Sequence, residues 1–205
     1  MRQQSPNTRL RSNVLLVSLP EALEISGEDY GIRSDFKVVL RFFELTRDDR
    51  ILERHKGYTA LKMFFKERIP FDTDAAFNAL GWFIRCGKPE EQVRQKRPVF
   101  DFAHDAGIIF SSFWEQYGID LTAAGLHWWK FSALFAGLNE DTMFRNVVRI
   151  RTKSEDGLDA KSRQELRELK KAWALPPEVF RSKKTDALAA ALKAGDAAKI
   201  QRALQ

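Results

Sequence analysis

A run of apolar residues at spacings of three and four constrains the fold of this chain more than any other part of its sequence. The run comprises Phe102, Ala106, Ile109, Phe110, Phe113, Trp114 and Tyr117. Such spacing is the period of an α-helix with one apolar face, whereas a half-buried strand alternates apolar and polar residues. Gly118 follows at a position where helices often end in the left-handed conformation. We therefore predict a helix that begins near residue 102, ends at Gly118 and packs against other helices.

The same period recurs along most of the chain and predicts a mostly α fold. Ser34 is expected to cap the first helix. The apolar face of that helix would consist of Phe36, Val39, Leu40 and Phe43. Further helices are expected before Pro70, from Asp72 to Ile84, from Leu126 to Leu138, from Asp141 to Arg151, and before Pro176. A multi-helix globular core is therefore the predicted architecture.

A small β-hairpin near the N-terminus is the one persuasive strand signal. Apolar residues alternate in segments 23–25 and 30–32, on either side of the Gly-containing turn 26–29. This arrangement is typical of two antiparallel strands joined by a turn. Because an isolated hairpin is marginally stable in water, we expect it to pack against helices.

The predicted organisation has three parts. Residues 1–14 form a polar N-terminal tail, residues 15–178 form the helical core with its hairpin, and residues 179–205 form a basic, Ala-rich helical extension. Residues 87–98 contain Gly, two Pro and many charges, which indicate a surface linker. Whether two domains or two halves of one core flank this linker stays open.

Charge is distributed unevenly along the chain. Residues 1–144 contain 19 Lys or Arg and 20 Asp or Glu, whereas residues 145–205 contain 15 and 8, so the net charge of +6 belongs to the C-terminal third. A basic third is compatible with an acidic partner or with nucleic acid. Because acids are interspersed with the bases, a solvated helical face is the favoured interpretation.

Other features argue against several classes of protein. No run of 18 apolar residues is present, so we expect no transmembrane helix. The polar N-terminus lacks the apolar stretch of a secretory signal. The single Cys86 excludes an internal disulfide and fits a reducing cytoplasm.

The sequence contains no recognisable catalytic, cofactor or metal motif. His55, His104 and His127 are scattered and lack the spacing of zinc ligands. Phosphate-binding glycine loops and the nucleophile elbow are absent. Asp101 and Asp105 lie one turn apart and could act as acid and base, but acids are common in the first turn of a helix. We therefore expect a non-enzymatic protein with no catalytic residue, no cofactor and no metal.

Three stretches of sequence together carry a family resemblance. They are Asp101-Phe102 followed by Asp105-Ala106, residues 116–121, and the specific run His127-Trp128-Trp129-Lys130-Phe131. With them, residues 15–178 resemble the bacteriophage "gene product fifteen" family of long-tailed phages and prophages. The resemblance brings no catalytic residues, and it implies that the signature residues are structural. Those residues are Asp101, Phe102, Tyr117, Gly118, His127, Trp128, Trp129, Lys130 and Phe131.

The genes of this family typically lie in the tail region, near the tape-measure gene. The resemblance therefore implies a tail assembly chaperone that binds the tape-measure protein or other tail proteins in the host cytoplasm during assembly. A structural tail or neck component of the virion is the alternative, and self-association stays open. A basic nucleic-acid-binding accessory role is disfavoured, because no recognition helix or nucleic-acid motif is present. No membrane partner is expected.

Trp128 and Trp129 are expected to be core residues. Adjacent residues on a helix point about 100° apart, so the two rings cover a broad face between neighbouring helices. We predict that at least one of them anchors the core and that neither is an active-site residue. The helix that carries Phe110, Phe113 and Trp114 is the expected neighbour, because only a short connection separates the two helices.

Overall fold

The computed structural model describes residues 18–89 and 98–180 of the chain. Within these residues the protein is mostly helical, with seven α-helices and one two-stranded antiparallel hairpin. The predicted fold class is therefore confirmed for this part of the chain. The expected N-terminal tail, most of the expected linker and nearly all of the expected Ala-rich extension lie outside the described residues.

The described elements follow one another in a simple order. They are β1 (Ala22–Ile25), β2 (Glu28–Gly31), α1 (Phe36–Arg47), α2 (Glu53–Phe64), α3 (Thr73–Ile84), α4 (Ala106–Tyr117), α5 (Trp128–Ala136), α6 (Met143–Thr152), α7 (Ala160–Ala172) and a 3-10 turn (Pro177–Phe180). No helix among the described residues is long and apolar enough to cross a membrane.

The described residues divide into two compact units. The first unit contains residues 18–89 and 126–132, and the second contains residues 98–125 and 133–180. Residues 128–132 of α5 thus belong to the first unit and residues 133–136 to the second.

The hairpin of the first unit has a tighter turn than the sequence predicted. Ile25 pairs with Glu28, so the turn consists of Ser26 and Gly27 alone. Both have positive φ angles, 52° and 84°, as a two-residue turn between right-twisted strands requires. Residues 28 and 29, expected in the turn, belong to β2 instead. The hairpin's buried side chains are Leu23, Ile25 and Tyr30, and α3 packs against β1.

The predicted cap of α1 is wrong by one residue. The Asp35 carboxylate accepts a hydrogen bond from the Lys37 amide at 2.7 Å and is the N-cap. The Ser34 hydroxyl instead donates to Glu21 at 2.9 Å. By contrast, α3 begins close to its predicted start, and its N-cap is Asp72, whose carboxylate accepts from the Ala75 amide at 3.0 Å. Both helices therefore begin where a carboxylate satisfies otherwise unpaired N–H groups.

The segment before α5 is extended rather than helical. The Leu126 carbonyl accepts from the Phe36 amide at 2.9 Å, and the Trp128 amide donates to the Ser34 carbonyl at 2.7 Å. His127 thereby forms an isolated bridge with Asp35. The helix predicted to begin at Leu126 therefore begins at Trp128, because its first two residues pair with a distant part of the chain.

In the second unit, α4 packs against α6 and α6 against α7. Gly118 ends α4 in the left-handed conformation, with φ of 65°, as predicted. The helix begins at Ala106, later than predicted, because residues 102–105 form a turn. Four aromatic rings pack together with centroids 4.8 to 5.6 Å apart: Phe100, Phe102, Phe135 and Phe144. This cluster forms part of the core of the second unit.

Candidate functional site

The structure places five of the nine family signature residues in the first unit and four in the second. Those in the first unit are His127, Trp128, Trp129, Lys130 and Phe131. Those in the second unit are Asp101, Phe102, Tyr117 and Gly118.

Trp128 and Trp129 are both buried, with 5% and 2% of their surfaces exposed. The Trp128 indole N–H donates to the Ile84 carbonyl at 2.9 Å, and the Trp129 indole N–H donates to the Phe83 carbonyl at 2.8 Å. Carbonyls at the end of a helix lack intrahelical partners, so two adjacent indoles find acceptors at the end of α3. The prediction that at least one tryptophan anchors the core is confirmed.

The predicted neighbour of α5 is present within the second unit. There, the Tyr117 hydroxyl at the end of α4 donates to the Leu134 carbonyl of α5 at 2.9 Å. The two indole donors instead meet α3, a partner that the sequence did not indicate.

His127 holds the start of α5 in place. Its Nδ1 accepts from the Trp129 amide at 3.1 Å, and its Nε2 lies 3.1 Å from the Pro20 carbonyl oxygen. An acceptor at Nδ1 and a carbonyl at Nε2 together favour the tautomer with the proton on Nε2. The imidazole is therefore occupied on both nitrogens as a helix cap. Phe131 stacks on Phe36 with centroids 4.5 Å apart, and Lys130 is exposed.

The second unit contains a buried ion pair that the sequence did not indicate. The Arg151 guanidinium donates to both oxygens of Asp105, at 2.7 and 2.8 Å, and the two side chains are only 8% and 3% exposed. Arg151 also donates to the Trp173 carbonyl at 2.7 Å and the Val99 carbonyl at 3.1 Å. This bidentate pair therefore connects α6 to the segment before α4 and to the end of α7.

The two carboxylates considered as an acid and base pair are engaged in structural bonds. Asp105 accepts from the Asp101 amide at 3.0 Å in addition to Arg151. Asp101 accepts from the Ala103 and His104 amides at 3.0 and 2.8 Å. Both carboxylates thus stabilise the turn that precedes α4. No sequence signal pointed to Arg151, because it lies 46 residues from Asp105.

Cys86 does not have the surroundings of an activated nucleophile. Burial raises the pKa of the Cys86 thiol above its ordinary value and outweighs the opposing effects of a hydrogen bond with Ser132 and of the Lys88 charge. A raised pKa reduces the thiolate fraction near neutral pH. Among the described residues, no group of three or more His, Cys, Asp or Glu side chains could hold a metal ion.

Two surface features remain as candidates for binding a partner. The first is a pair of aromatic side chains on α4, Phe110 and Trp114, which we call the aromatic ridge. Their rings stack with centroids 6.5 Å apart and an angle of 14° between their planes. Trp114 is 56% exposed, and Glu115 is the one charged residue of α4. An exposed tryptophan beside a half-buried phenylalanine, on an almost uncharged helix, is typical of a protein contact surface.

The second feature is a cleft of about 450 Å³ in the first unit, which we call the basic cleft. It lies at the C-terminal end of α2 and along the segment that follows this helix. The residues lining it are Arg33, Tyr58, Lys62, Phe65, Lys66, Glu67, Arg68 and Ile69. Four of these eight are basic and one is acidic, so the cleft favours an anionic group.

One known protein family matches most of the chain. The family model described as "Bacteriophage Gp15 protein" matches residues 15–175. This span includes all nine signature residues and both units. No curated protein and no solved structure matches the chain.

Proposed function

The chain belongs to the bacteriophage Gp15 protein family, and from this premise we propose that it is a tail assembly chaperone that binds the tape-measure protein during tail morphogenesis. The single observation that carries the proposal is the family match over residues 15–175. Genes of the family that the sequence resembles typically lie near the tape-measure gene. A chaperone that binds a long helical partner needs a contact surface rather than an active site.

The aromatic ridge supports this proposal. A helical partner with an apolar stripe can bind by placing that stripe against exposed aromatic side chains. Tryptophan at the centre of such a contact contributes most of the binding energy in many interfaces. Gly107 and Ser111 lie beside the ridge on the exposed side of α4, and nothing within 4 Å fills the space above Gly107. A partner helix could therefore approach closely next to Trp114.

Co-expression with the tape-measure protein tests the proposal. We expect the wild-type chain to increase the soluble amount of the tape-measure protein and to co-purify with it. Trp114→Ser should weaken the complex at least about 30-fold if the ridge is a binding hot spot. Leu52→Ser is the matched control, because Leu52 is equally exposed, at 56%, and lies in the other unit.

An unchanged tape-measure solubility and no co-purifying complex would reject the chaperone proposal. We also propose that the protein is non-enzymatic and acts in the host cytoplasm during assembly. Mass spectrometry of purified virions separates this role from that of a structural tail or neck component. A chaperone that dissociates before the virion is complete is absent from the virion in stoichiometric amounts. A structural component is detected there in stoichiometric amounts.

A further inference from the structure

We infer that the basic cleft binds an acidic peptide segment, in which a carboxylate contacts Lys62 and a neighbouring apolar side chain packs on Tyr58. The inference rests on the proposed function in one respect, namely that the segment belongs to the tail protein that this chain binds as a chaperone. The cleft would make a charged contact with the partner, which the aromatic ridge does not supply.

Tyr58 and Lys62 are suitably placed to bind such a segment together. They lie four residues apart on α2 and therefore on the same face of the helix. Both are exposed, and both line the cleft. Tyr58 offers an aromatic surface to an apolar side chain, while the Lys62 ammonium offers a charge to a carboxylate.

The end of a helix would ordinarily repel an anion, because its free carbonyls carry partial negative charge. Here Arg33 covers these groups. Its guanidinium donates to the carbonyls of Lys62 at 3.2 Å, Met63 at 3.3 Å and Lys66 at 3.4 Å, and also to the Phe65 carbonyl. Arg33 therefore satisfies the carbonyls and adds a positive charge at the point where a carboxylate would arrive.

The partners of the other basic side chains leave Lys62 as the principal contact, and Glu67 is the one acidic residue that lines the cleft with them. Arg68 is paired with Glu28 at 2.6 Å, and Lys66 lies 3.8 Å from Glu21. Lys62 has no ion-pair partner among the described residues. The long contact of Lys66 is between two largely exposed side chains, so an incoming carboxylate can compete with it at little cost.

A peptide fits this arrangement better than a nucleic acid does. Nucleic-acid affinity depends on several phosphate contacts along a backbone. In the cleft, Arg68 is paired with an acid, Arg33 is engaged with carbonyls and Lys66 has a long contact with an acid. Lys62, beside an aromatic ring, is the basic side chain of the cleft with neither kind of partner among the described residues. One carboxylate next to one apolar side chain matches these two groups.

Fluorescence anisotropy with a labelled peptide of alternating glutamate and leucine pairs tests the inference directly. The wild-type protein should bind this peptide more tightly than a peptide with glutamine in place of glutamate, and binding should weaken with salt. Lys62→Glu should weaken binding about fivefold, and Tyr58→Ala should also weaken it. Lys130→Glu is the matched control, because Lys130 is exposed in the same unit and its substitution changes net charge equally.

The inference is overturned if the wild-type protein does not bind the glutamate peptide, or binds the glutamine peptide as tightly. It is also overturned if Lys130→Glu weakens binding as much as Lys62→Glu, or if a single-stranded oligonucleotide binds the cleft in a Lys62-dependent manner more tightly than the peptide. Co-purification with the tape-measure protein separates the two proposals. A complex whose affinity Lys62→Glu leaves unchanged overturns the cleft inference alone, and the absence of any wild-type complex, with peptide binding retained, overturns the chaperone proposal alone.

Discussion

The two units differ in how they bury charged side chains. Among the described residues, the first unit buries one charged group, Lys56, whose Nζ donates to the Thr46 carbonyl at 3.1 Å. The second unit buries the Asp105 and Arg151 pair together with Asp101. Thus the buried cation of the first unit donates to a carbonyl at the end of α1 and also acts on the partly exposed Asp48 carboxylate. The second unit instead holds a bidentate ion pair in which the cation and the anion are both buried.

This difference predicts different responses to mutation. Removing Lys56 leaves the Thr46 carbonyl without a charged donor, while Asp48 keeps its pair with Arg50, so the cost is roughly that of one hydrogen bond to a charged group. Removing one member of a buried ion pair leaves the opposite charge unpaired away from water, which costs considerably more. The first unit should therefore depend mainly on apolar packing, and the second on the integrity of its ion pair.

The largest effect is expected for Trp129→Ala, which should lower the free energy of unfolding by about 4–5 kcal/mol. The substitution empties a site that is 2% exposed and removes the bond to the Phe83 carbonyl. Urea unfolding followed by circular dichroism measures the loss. Trp114→Ala is the control and should change stability by less than about 1 kcal/mol, because Trp114 is exposed. Equal stability of the two variants would contradict the core role of Trp129.

Arg151→Met should follow, with a loss of about 3–4 kcal/mol, because Asp105 would remain buried without its cation. The same urea unfolding measures it, and hydrogen exchange should show that protection is lost first in the second unit. The double variant Arg151→Met with Asp105→Leu should recover at least half of the loss, since no unpaired charge remains. A double variant as unstable as Arg151→Met alone would place the cost in packing rather than in charge.

Lys56→Met should have a smaller effect, of about 1–2 kcal/mol. The side chain is 1% exposed, and methionine preserves much of its volume. The Thr46 carbonyl loses a charged donor, and the Asp48 carboxylate loses one nearby positive charge but keeps its pair with Arg50. The free energy of unfolding lost in Lys56→Met, divided by that lost in Arg151→Met, compares the two units directly. A loss equal to that of Arg151→Met would remove the distinction between the two units.

The smallest effect concerns acid sensitivity at the end of α1. The side-chain and backbone hydrogen bonds from Arg50 lower the pKa of Asp48 from 3.8 to about 2. A carboxyl group whose pKa falls on folding stabilises the fold above its unfolded pKa and loses this contribution as the pH falls through its folded pKa. Wild-type and Asp48→Asn proteins should therefore differ slightly in stability at pH 5 and converge between about pH 4 and 2. A difference at pH 2 that is as large as the difference at pH 5 would contradict the assignment.

Elements with strong local signals were predicted well from the sequence. The left-handed end at Gly118, the start of α3 at Asp72 and the burial of Trp128 and Trp129 all follow from residues within one or two helical turns. The error at the start of α5 has the opposite origin. Leu126 and His127 fit a helical pattern, but their backbone pairs with residues 34–36, and a local pattern contains no information about that pairing.

The candidate site was less predictable for the same reason. Nothing near Asp105 indicates that Arg151 binds it, and nothing near Lys62 indicates that Arg33 covers the end of α2. Such contacts depend on the folded chain rather than on a spacing in sequence. The aromatic ridge shows another limit of prediction from sequence. Trp114 lies in the predicted apolar pattern of α4 and is nevertheless exposed. Periodicity identifies an apolar residue, but it does not show whether a core or a partner covers it.

The exposure of Trp114 also makes it an intrinsic optical reporter. Trp128 and Trp129 are hydrogen-bonded and shielded from solvent, so their emission is expected at shorter wavelengths and resistant to quenching by acrylamide. Trp114 should emit at longer wavelengths and be quenched readily. A partner that covers α4 would shift and protect part of the quenchable emission without any attached dye. Trp114→Phe would remove the largest part of that emission and leave the contribution of Trp82 and Trp173, which are half-buried. The same spectrum would report through its other fraction whether the core has remained intact.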